Sequence, residues 1–323
     1  MLLLRRVHRH AFRRWRGTHS TGGSRVLVHE VSPRDGLQNE PVLLDVHGKM
    51  RLLQALCQAQ PSSIEVTSFV RADRVPQLSD ADELCARMVD TEWFHQARAH
   101  GTRFAGLVPN LRGLDRFLGA REQGALDSVS VITSATDGHS RANVGKDVAS
   151  AIAESARVVR AAVAEGVGVR GYVSMAFGCP IDGETNQQYV DEIVLAYAEA
   201  GADVIVIADT VGYGTPEQVE QTCRRALRLV GDGALLGLHM HDTRGRAAEN
   251  CAVAMDMGFV HFDSAVAGCG GCPFAPGAAG NLATEDLLDL CESLRHNHGM
   301  SRTQLADAAA VLRKELLVAE PML

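Results

Sequence analysis

The sequence predicts an α/β protein that folds as one (β/α)8 TIM barrel followed by an extra C-terminal helix. Eight short runs of β-branched residues recur along the 323-residue chain, and an Ala- and Leu-rich segment with helical periodicity follows each of them. Near-continuous apolar strands that alternate with helices form a parallel sheet that is buried on both faces. Eight such units close naturally into a barrel. No G-x-G-x-x-G sequence follows the first run, which disfavours the alternative, an open doubly wound sheet.

The predicted strands are spread over the whole chain and cover residues 26–31, 63–69, 103–109, 128–133, 167–175, 203–210, 235–241 and 259–266. Several of the helices between them end in a glycine, at Gly166, Gly201 and Gly258, which is typical of helix C-caps. Residues 301–318 form a further amphipathic helix outside the eight units. The sequence shows no linker and no repeat other than the β/α period, so we expect residues 25–323 to form a single domain.

The first 24 residues differ in composition from the rest of the chain. They contain six arginines and no acidic residue, and on a helical wheel Leu4, Val7, Ala11 and Trp15 share one face. An Arg-rich amphipathic start without acidic residues is typical of a mitochondrial transit peptide, so the sequence predicts a mitochondrial matrix protein. The alternative is a spurious upstream start in an Arg-rich gene, because the whole chain has only three lysines.

Charge and composition exclude several classes of partner. Without the six N-terminal arginines the formal net charge falls from −7 to −13, which argues against a protein that binds nucleic acid by neutralising phosphates. No stretch approaches the roughly 18 apolar residues of a membrane span, so we expect neither nucleic acid nor membrane as a partner. The eight scattered cysteines suit a reducing compartment.

Polar side chains cluster where a barrel performs its chemistry, at the C-terminal ends of the strands and in the loops that follow. Four predicted strand ends carry ionisable or metal-binding side chains: Asp35 after strand 1, Glu65 in strand 2, Asp209 and Thr210 at the end of strand 6, and His239 and His241 on strand 7. We therefore expect the active site at this mouth of the barrel.

A metal site is the first chemistry that these residues suggest. His239 and His241 are two positions apart on a strand, so both imidazoles face one side, although a lone His-x-His is often accidental. Asp35 supports the metal interpretation, because strand 1 becomes the neighbour of strand 8 when the barrel closes. Asn281, in the loop after strand 8, could complete a set of two nitrogen and two oxygen ligands. This mixture with open positions suits Mg²⁺ or Mn²⁺, although Zn²⁺ or Co²⁺ would also fit by affinity.

The loop after strand 8 holds a C-x-x-C pair, Cys269 and Cys272, among five glycines in residues 268–280. A zinc half-site is disfavoured because no second C-x-x-C exists, and a thioredoxin-like redox pair because no suitable helix follows. One of the two could be a catalytic thiol on a mobile loop that closes over substrate. The alternative is a flexible loop in which the cysteines are incidental.

Together these motifs are recognisable. SPRDGLQNE, IEVTSFV, RGYVS with GCP, ADTVGYGTP, HMHD and SAVAGCGGCPFAPGAAGNLATEDL resemble the 3-hydroxy-3-methylglutaryl-CoA lyase family, in matching order over residues 26–296. The resemblance implies a metal-dependent carbon–carbon lyase, usually a homodimer, that cleaves this acyl-CoA to acetyl-CoA and acetoacetate. It also implies a role in leucine degradation and ketone-body formation.

The resemblance further implies a role for individual residues. The family's metal ligands fall on Asp35, His239, His241 and Asn281. Its substrate-binding and polarising arginine falls on Arg34, its supporting carboxylate on Glu65, its catalytic cysteine on Cys272, and the strand 6 pair on Asp209 and the substrate-binding Thr210. Either Asp35 or His239 could act as the catalytic base, and this choice stays open.

Some positions depart from the family pattern. Val206-Ile207-Ala208 stands where members often have Ser-Leu-Gly, and Pro41 stands where a basic residue often follows QNE. We interpret Val206 as a less polar wall of the acyl pocket, which keeps a related tertiary hydroxyacyl-CoA such as citramalyl-CoA as the alternative substrate. Cys269 replaces an aliphatic residue, so it could form a regulatory disulfide with Cys272 or pack as a small apolar side chain.

Overall fold

The computed structural model describes residues 25–271, 280–318 and 320–321 and contains a closed barrel of eight parallel strands. The strands are β1 (Leu27–Glu30), β2 (Ser63–Ser68), β3 (Arg103–Leu107), β4 (Ser128–Ser134), β5 (Gly168–Ser174), β6 (Val204–Asp209), β7 (Leu236–Met240) and β8 (His261–Ser264). The predicted fold is confirmed, with all eight strands inside or overlapping their predicted ranges. The predicted transit peptide, residues 1–24, lies outside the described residues, and so does Cys272.

Helices follow the strands and cover the outside of the barrel. They are α1 (Val46–Ala59), α2 (Ala81–Val89), α3 (Glu92–Ala99), α4 (Leu111–Glu122), α5 (Asp137–Val144), α6 (Val148–Ala164), α7 (Gln187–Ala200), α8 (Pro216–Val230), α9 (Ala247–Asp256), α10 (Thr284–Ser293) and α11 (Arg302–Val318). As predicted, Gly201 ends α7 in the left-handed conformation, with a φ of 95°. Among these helices, none is long and apolar enough to cross a lipid bilayer.

The predicted C-terminal helix is α11, and it packs against α1. The Arg51 guanidinium on α1 makes two hydrogen bonds, of 2.6 and 2.7 Å, to the Glu315 carboxylate on α11. Beyond α11, Glu320–Pro321 pairs antiparallel with Val42–Leu43. This small two-stranded sheet was not predicted, because a two-residue strand leaves no periodic pattern in a sequence.

The two faces of each strand differ in chemistry. The face towards the helices joins one large apolar core, to which β7 contributes Leu238 and β8 contributes Phe262, both fully buried. The opposite face lines the interior of the barrel, and we call this interior the lumen. The Arg170 side chain of β5 contacts Asp263 of β8, a strand three places away, which is possible only across the lumen. The lumen holds buried polar groups, and the site stands at its upper end.

Candidate active site

A single turn of π-helix, Ser32–Gly36, carries Arg34 and Asp35 out of the end of β1. The Glu30 carboxylate fixes this turn, because its Oε1 accepts a hydrogen bond of 3.0 Å from the Ser32 backbone N–H. The same carboxylate accepts bonds from the Val266 backbone N–H (3.1 Å) and from the Thr284 hydroxyl (2.7 Å). Glu30 therefore ties the turn to both ends of the loop after β8. Sequence reasoning did not identify this residue.

Arg34 is buried between two carboxylates. Its Nε donates to Glu65 Oε2 at 2.5 Å, and its Nη1 donates to Asp35 Oδ1. Burial alone would lower the pKa of Arg34, but the negative charges of Glu65 and Asp35 outweigh it and raise the pKa above its ordinary value. Burial would likewise raise the pKa of Asp35, but the charge of Arg34 holds it well below the usual range. The mouth thus presents an oriented, permanent positive charge beside an ionised carboxylate.

The structure brings Asp35, His239 and His241 together as the sequence predicted. Asp35 Oδ2 lies 3.9 Å from His239 Nε2 and 3.7 Å from His241 Nε2, and the three ligand atoms all lie within 4.8 Å of one another. These separations are too long for hydrogen bonds but suit atoms that share one ion, since each metal–ligand bond is about 2.0–2.6 Å. That the three residues bind a metal stays a prediction.

The fourth predicted ligand, Asn281, also lies at this point. A backbone bridge pairs Asn281 with His241, so its side chain is delivered next to the histidine. In the structure the amide nitrogen donates to Asp35 Oδ2 at 2.9 Å and to the Cys269 carbonyl at 3.1 Å. Ligation through Oδ1 would require the amide to rotate, so Asn281 as a metal ligand stays a prediction.

A buried network supports His239 from below. His239 Nδ1 lies 3.3 Å from Asp263 Oδ2, and Asp263 also accepts from Arg170 (2.6 Å) and from the Tyr172 hydroxyl (2.8 Å). Burial would raise the pKa of Asp263, but the charge of Arg170 outweighs it and holds the pKa far below its ordinary value. The RGY run of β5 belonged to a recognised motif, but nothing in the sequence indicated its partner.

A small cavity opens above these groups. It is lined by Arg34, Asp35, Ile132, Tyr172, Ser174, Ala208, Thr210 and His239. Thr210, predicted to bind substrate, is therefore a wall residue. The interpretation of Val206 as a pocket wall was wrong: Val206 is fully buried one layer lower, against Tyr172 and Val204, and Ala208 takes the wall position.

Asp209, by contrast, does not line this cavity. Its carboxylate accepts hydrogen bonds from the backbone N–H groups of Tyr213 (3.0 Å) and Gly214 (2.7 Å), so it shapes the loop after β6.

Cys269 is buried at the base of the loop after β8. Its thiol lies 3.7 Å from Glu40 Oε1, and burial raises the pKa of the Cys269 thiol well above its ordinary value. This environment favours packing over reactivity, because the thiolate is the reactive form. The assignment of Cys272 as catalytic thiol, and a disulfide between the two cysteines, remain predictions because Cys272 lies outside the described residues.

Comparisons with known proteins agree with the predicted family. Residues 25–312 match the model of the HMGL-like family. The chain is 37% identical over 289 residues to the cytoplasmic 3-hydroxy-3-methylglutaryl-CoA lyase of Rattus norvegicus, covering 90% of this chain and 80% of that protein. It is 35% identical over 288 residues to the (R)-citramalyl-CoA lyase of Chloroflexus aurantiacus, covering 88% and 89%.

Solved structures point to the same family. An HMG-CoA lyase from Acinetobacter baumannii, in complex with coenzyme A and 3-methylmalate, superimposes with a TM-score of 0.82 at 32% identity. The match covers 94% of this chain and 95% of that one. The chain therefore belongs to the HMGL-like family of carbon–carbon lyases.

Proposed function

We propose that the protein cleaves 3-hydroxy-3-methylglutaryl-CoA to acetyl-CoA and acetoacetate in a metal-assisted retro-aldol reaction. One observation carries this proposal. The charged Arg34 guanidinium and the Asp35 and His239 ligand atoms face a single small cavity, whose other walls include the apolar side chains of Ile132 and Ala208. A tertiary hydroxyacyl thioester with a methyl branch offers matching anionic, chelating and apolar groups.

The donor set fits a divalent cation. Asp35, His239 and His241 supply one carboxylate oxygen and two imidazole nitrogens, a mixture that suits Mg²⁺ or Mn²⁺ with positions left for substrate. Asn281 would add an amide oxygen after rotation of its side chain. When bound, the ion would act as a Lewis acid towards the oxygens of the substrate.

The residues of the chain supply the remaining chemistry. The C3 hydroxyl must lose its proton, and Asp35 and His239 are the two bases among the described residues that line the cavity. Arg34 is placed to stabilise the negative charge that develops on the thioester oxygen, a contribution commonly worth about 2.7–4 kcal/mol. Glu65 holds Arg34 in position. The proton that returns to the enolate carbon would come from Cys272 or, in its place, from His239.

Citramalyl-CoA is the second candidate substrate. The relative from Chloroflexus aurantiacus is nearly as similar to this chain as the lyase from rat. Citramalyl-CoA has the same hydroxyl and methyl groups, but its carboxylate arm is one methylene shorter. Its cleavage would release pyruvate instead of acetoacetate.

Product analysis tests the proposed function. The purified protein is incubated with each thioester, and acetoacetate, pyruvate and acetyl-CoA are quantified. We expect the higher kcat/KM for 3-hydroxy-3-methylglutaryl-CoA, loss of activity with EDTA and recovery with Mg²⁺ or Mn²⁺. A preference for citramalyl-CoA would select the second candidate, and full activity after removal of all divalent metal would remove the ion from the proposal.

We also propose that the protein acts as a homodimer in the mitochondrial matrix and that residues 25–323 form the mature domain. The basis is the family resemblance for the dimer and the Arg-rich composition of residues 1–24 for the compartment. Light scattering would give the mass of the assembly. A fluorescent protein fused after residue 24 should enter mitochondria, and diffuse cytosolic signal would contradict the targeting proposal.

A further inference from the structure

His239 needs one particular tautomer to bind a metal. A neutral imidazole has one N–H and one lone pair, and the partner of the distal nitrogen decides which nitrogen keeps the proton. The nitrogen that lies nearest Asp35, within the proposed ligand cluster, is Nε2, so Nε2 must carry the lone pair and Nδ1 the proton.

Asp263 is placed to impose this choice. Its side chain is fully buried, and its Oδ2 lies 3.3 Å from His239 Nδ1. The other two side chains that hydrogen-bond Asp263 in the described part of the chain are both donors: Arg170 Nη2 lies 2.6 Å from Oδ1, and the Tyr172 hydroxyl lies 2.8 Å from Oδ2. An ionised carboxylate has no proton to give, so it can only accept from Nδ1.

The strand register makes the contact a fixed property of the barrel. His239 on β7 and Asp263 on β8 are register partners in adjacent parallel strands, so their side chains leave the sheet side by side. Arg170 and Tyr172 reach the same carboxylate from β5, across the lumen. His241 has no equivalent support, because its buried Nδ1 has no hydrogen-bond partner among the described residues.

We propose that Asp263 is a positioning residue that holds His239 as the Nδ1–H tautomer, and that Arg170 and Tyr172 hold Asp263 in place for this task. The inference rests on the proposed metal site and adds to it the group that prepares one of the ligands. Asp263 is not among the residues that line the cavity, nor is it one of the proposed ligands.

The Asp263→Asn variant tests the proposal with little change in size. The new amide can turn its NH₂ group towards Nδ1, which then becomes an acceptor and leaves the proton on Nε2, at the metal position. We expect the Kd for Mn²⁺, measured by calorimetry, to rise about 10- to 100-fold, as outer-shell substitutions typically cause. An unchanged Kd in a folded variant would overturn the proposal.

His29→Gln is the matched control. His29 is the register partner of Asp263 on its other side, in β1, and its Nδ1 bonds the Ser63 hydroxyl at 2.6 Å. It is a buried lumen histidine that makes no hydrogen bond to His239. We expect its Mn²⁺ affinity to stay close to that of the wild type, and a loss equal to that of Asp263→Asn would reduce the role of Asp263 to general packing.

A second measurement needs no variant. It covers the case in which Asp263→Asn does not fold because the buried Arg170 has lost the negative charge beside it. Two-bond ¹H–¹⁵N spectra of the metal-free wild-type protein, at a pH where the His239 ring is neutral, report which nitrogen is protonated. We expect Nδ1–H, and Nε2–H would overturn the inference. If the wild type bound no metal, the proposed metal site would fail, yet this spectrum would still decide the tautomer.

Discussion

The lumen of the barrel and the layer between strands and helices are built from the same eight strands but follow opposite rules. On β7, Leu238 points into the apolar core, whereas its neighbour His239 points into the lumen beside Asp263. Burial is nearly complete in both places. The difference is that the outer layer gains stability from every buried side chain, whereas the lumen must satisfy each buried charge with a partner.

This difference shows that neighbouring residues of one strand serve different purposes: one contributes to the stability of the fold, and the next contributes to the chemistry of the site. Side chains alternate between the faces of a strand, so a substitution at one position should change mainly stability and at the next mainly function. The predictions below test this separation.

The largest effect is expected at the top of the lumen. Arg34→Gln should lower kcat at saturating Mn²⁺ by about 10²- to 10³-fold, because the lost charge acts on the transition state. Steady-state kinetics measure kcat, and calorimetry gives the Mn²⁺ concentration that saturates each variant. Arg51→Gln is a matched control, since it also breaks an arginine–carboxylate pair, with Glu315, but away from the mouth. Turnover of Arg34→Gln within a few-fold of wild type would contradict its role.

The next effect concerns the outer layer. Leu238→Ala should lower the free energy of unfolding by about 2–5 kcal/mol, because it leaves a cavity in a packed core, but the folded enzyme should keep its kcat. His239→Ala should instead lower kcat strongly and change the free energy of unfolding less. Denaturant titration and initial rates, measured at a temperature where both variants are folded, provide the test. A large loss of kcat in Leu238→Ala would show that the two layers are coupled.

A smaller and more specific effect is expected for the proposed metal ligands. His241→Ala should weaken Mn²⁺ binding at least about tenfold, since loss of a ligand costs no less than loss of its outer support. Added Mn²⁺ should restore part of the activity. If the Kd for Mn²⁺ were unchanged, His241 would not be a ligand.

The smallest effect concerns the acyl group. Ala208→Gly removes one methyl group from the cavity wall, worth about 0.8 kcal/mol or roughly fourfold in kcat/KM. The wider cavity should shift the preference towards 3-hydroxy-3-methylglutaryl-CoA, which is one methylene longer than citramalyl-CoA. Ile207→Val, on the outer face of the same strand, should leave the ratio of the two kcat/KM values unchanged. An equal shift in both variants would argue against a wall role for Ala208.

The sequence was sufficient to predict the barrel and the residues at its mouth. Strand and helix periods are local, and residues at strand ends meet at one edge whatever the details of packing. Val206 shows where this reasoning ends. Val206 was expected to face inwards, and it does, as does Ala208. Its position along the barrel axis, however, depends on the stagger between strands, and the alternation of side chains along one strand does not reveal that stagger.

The supporting groups were missed for a related reason. Asp263 meets Arg170 from 93 positions away, and Glu30 meets Val266 from 236 positions away. In the sequence each is a single charged residue within an apolar run. Their partners are known only when the barrel is closed, so no local pattern identifies them.

The Glu30 contact can form only late in the synthesis of the chain. Glu30 leaves the ribosome early, but its partner Val266 follows 236 residues later, which takes roughly 12–47 s at about 5–20 residues per second. Until His261–Ser264 has emerged, β1 lacks its neighbour on that side, and the edge opposite β2 stays open. An open strand edge is a template for pairing with another chain. A ribosome that stops before residue 261 would therefore release a chain whose first and last strands are both exposed to such pairing.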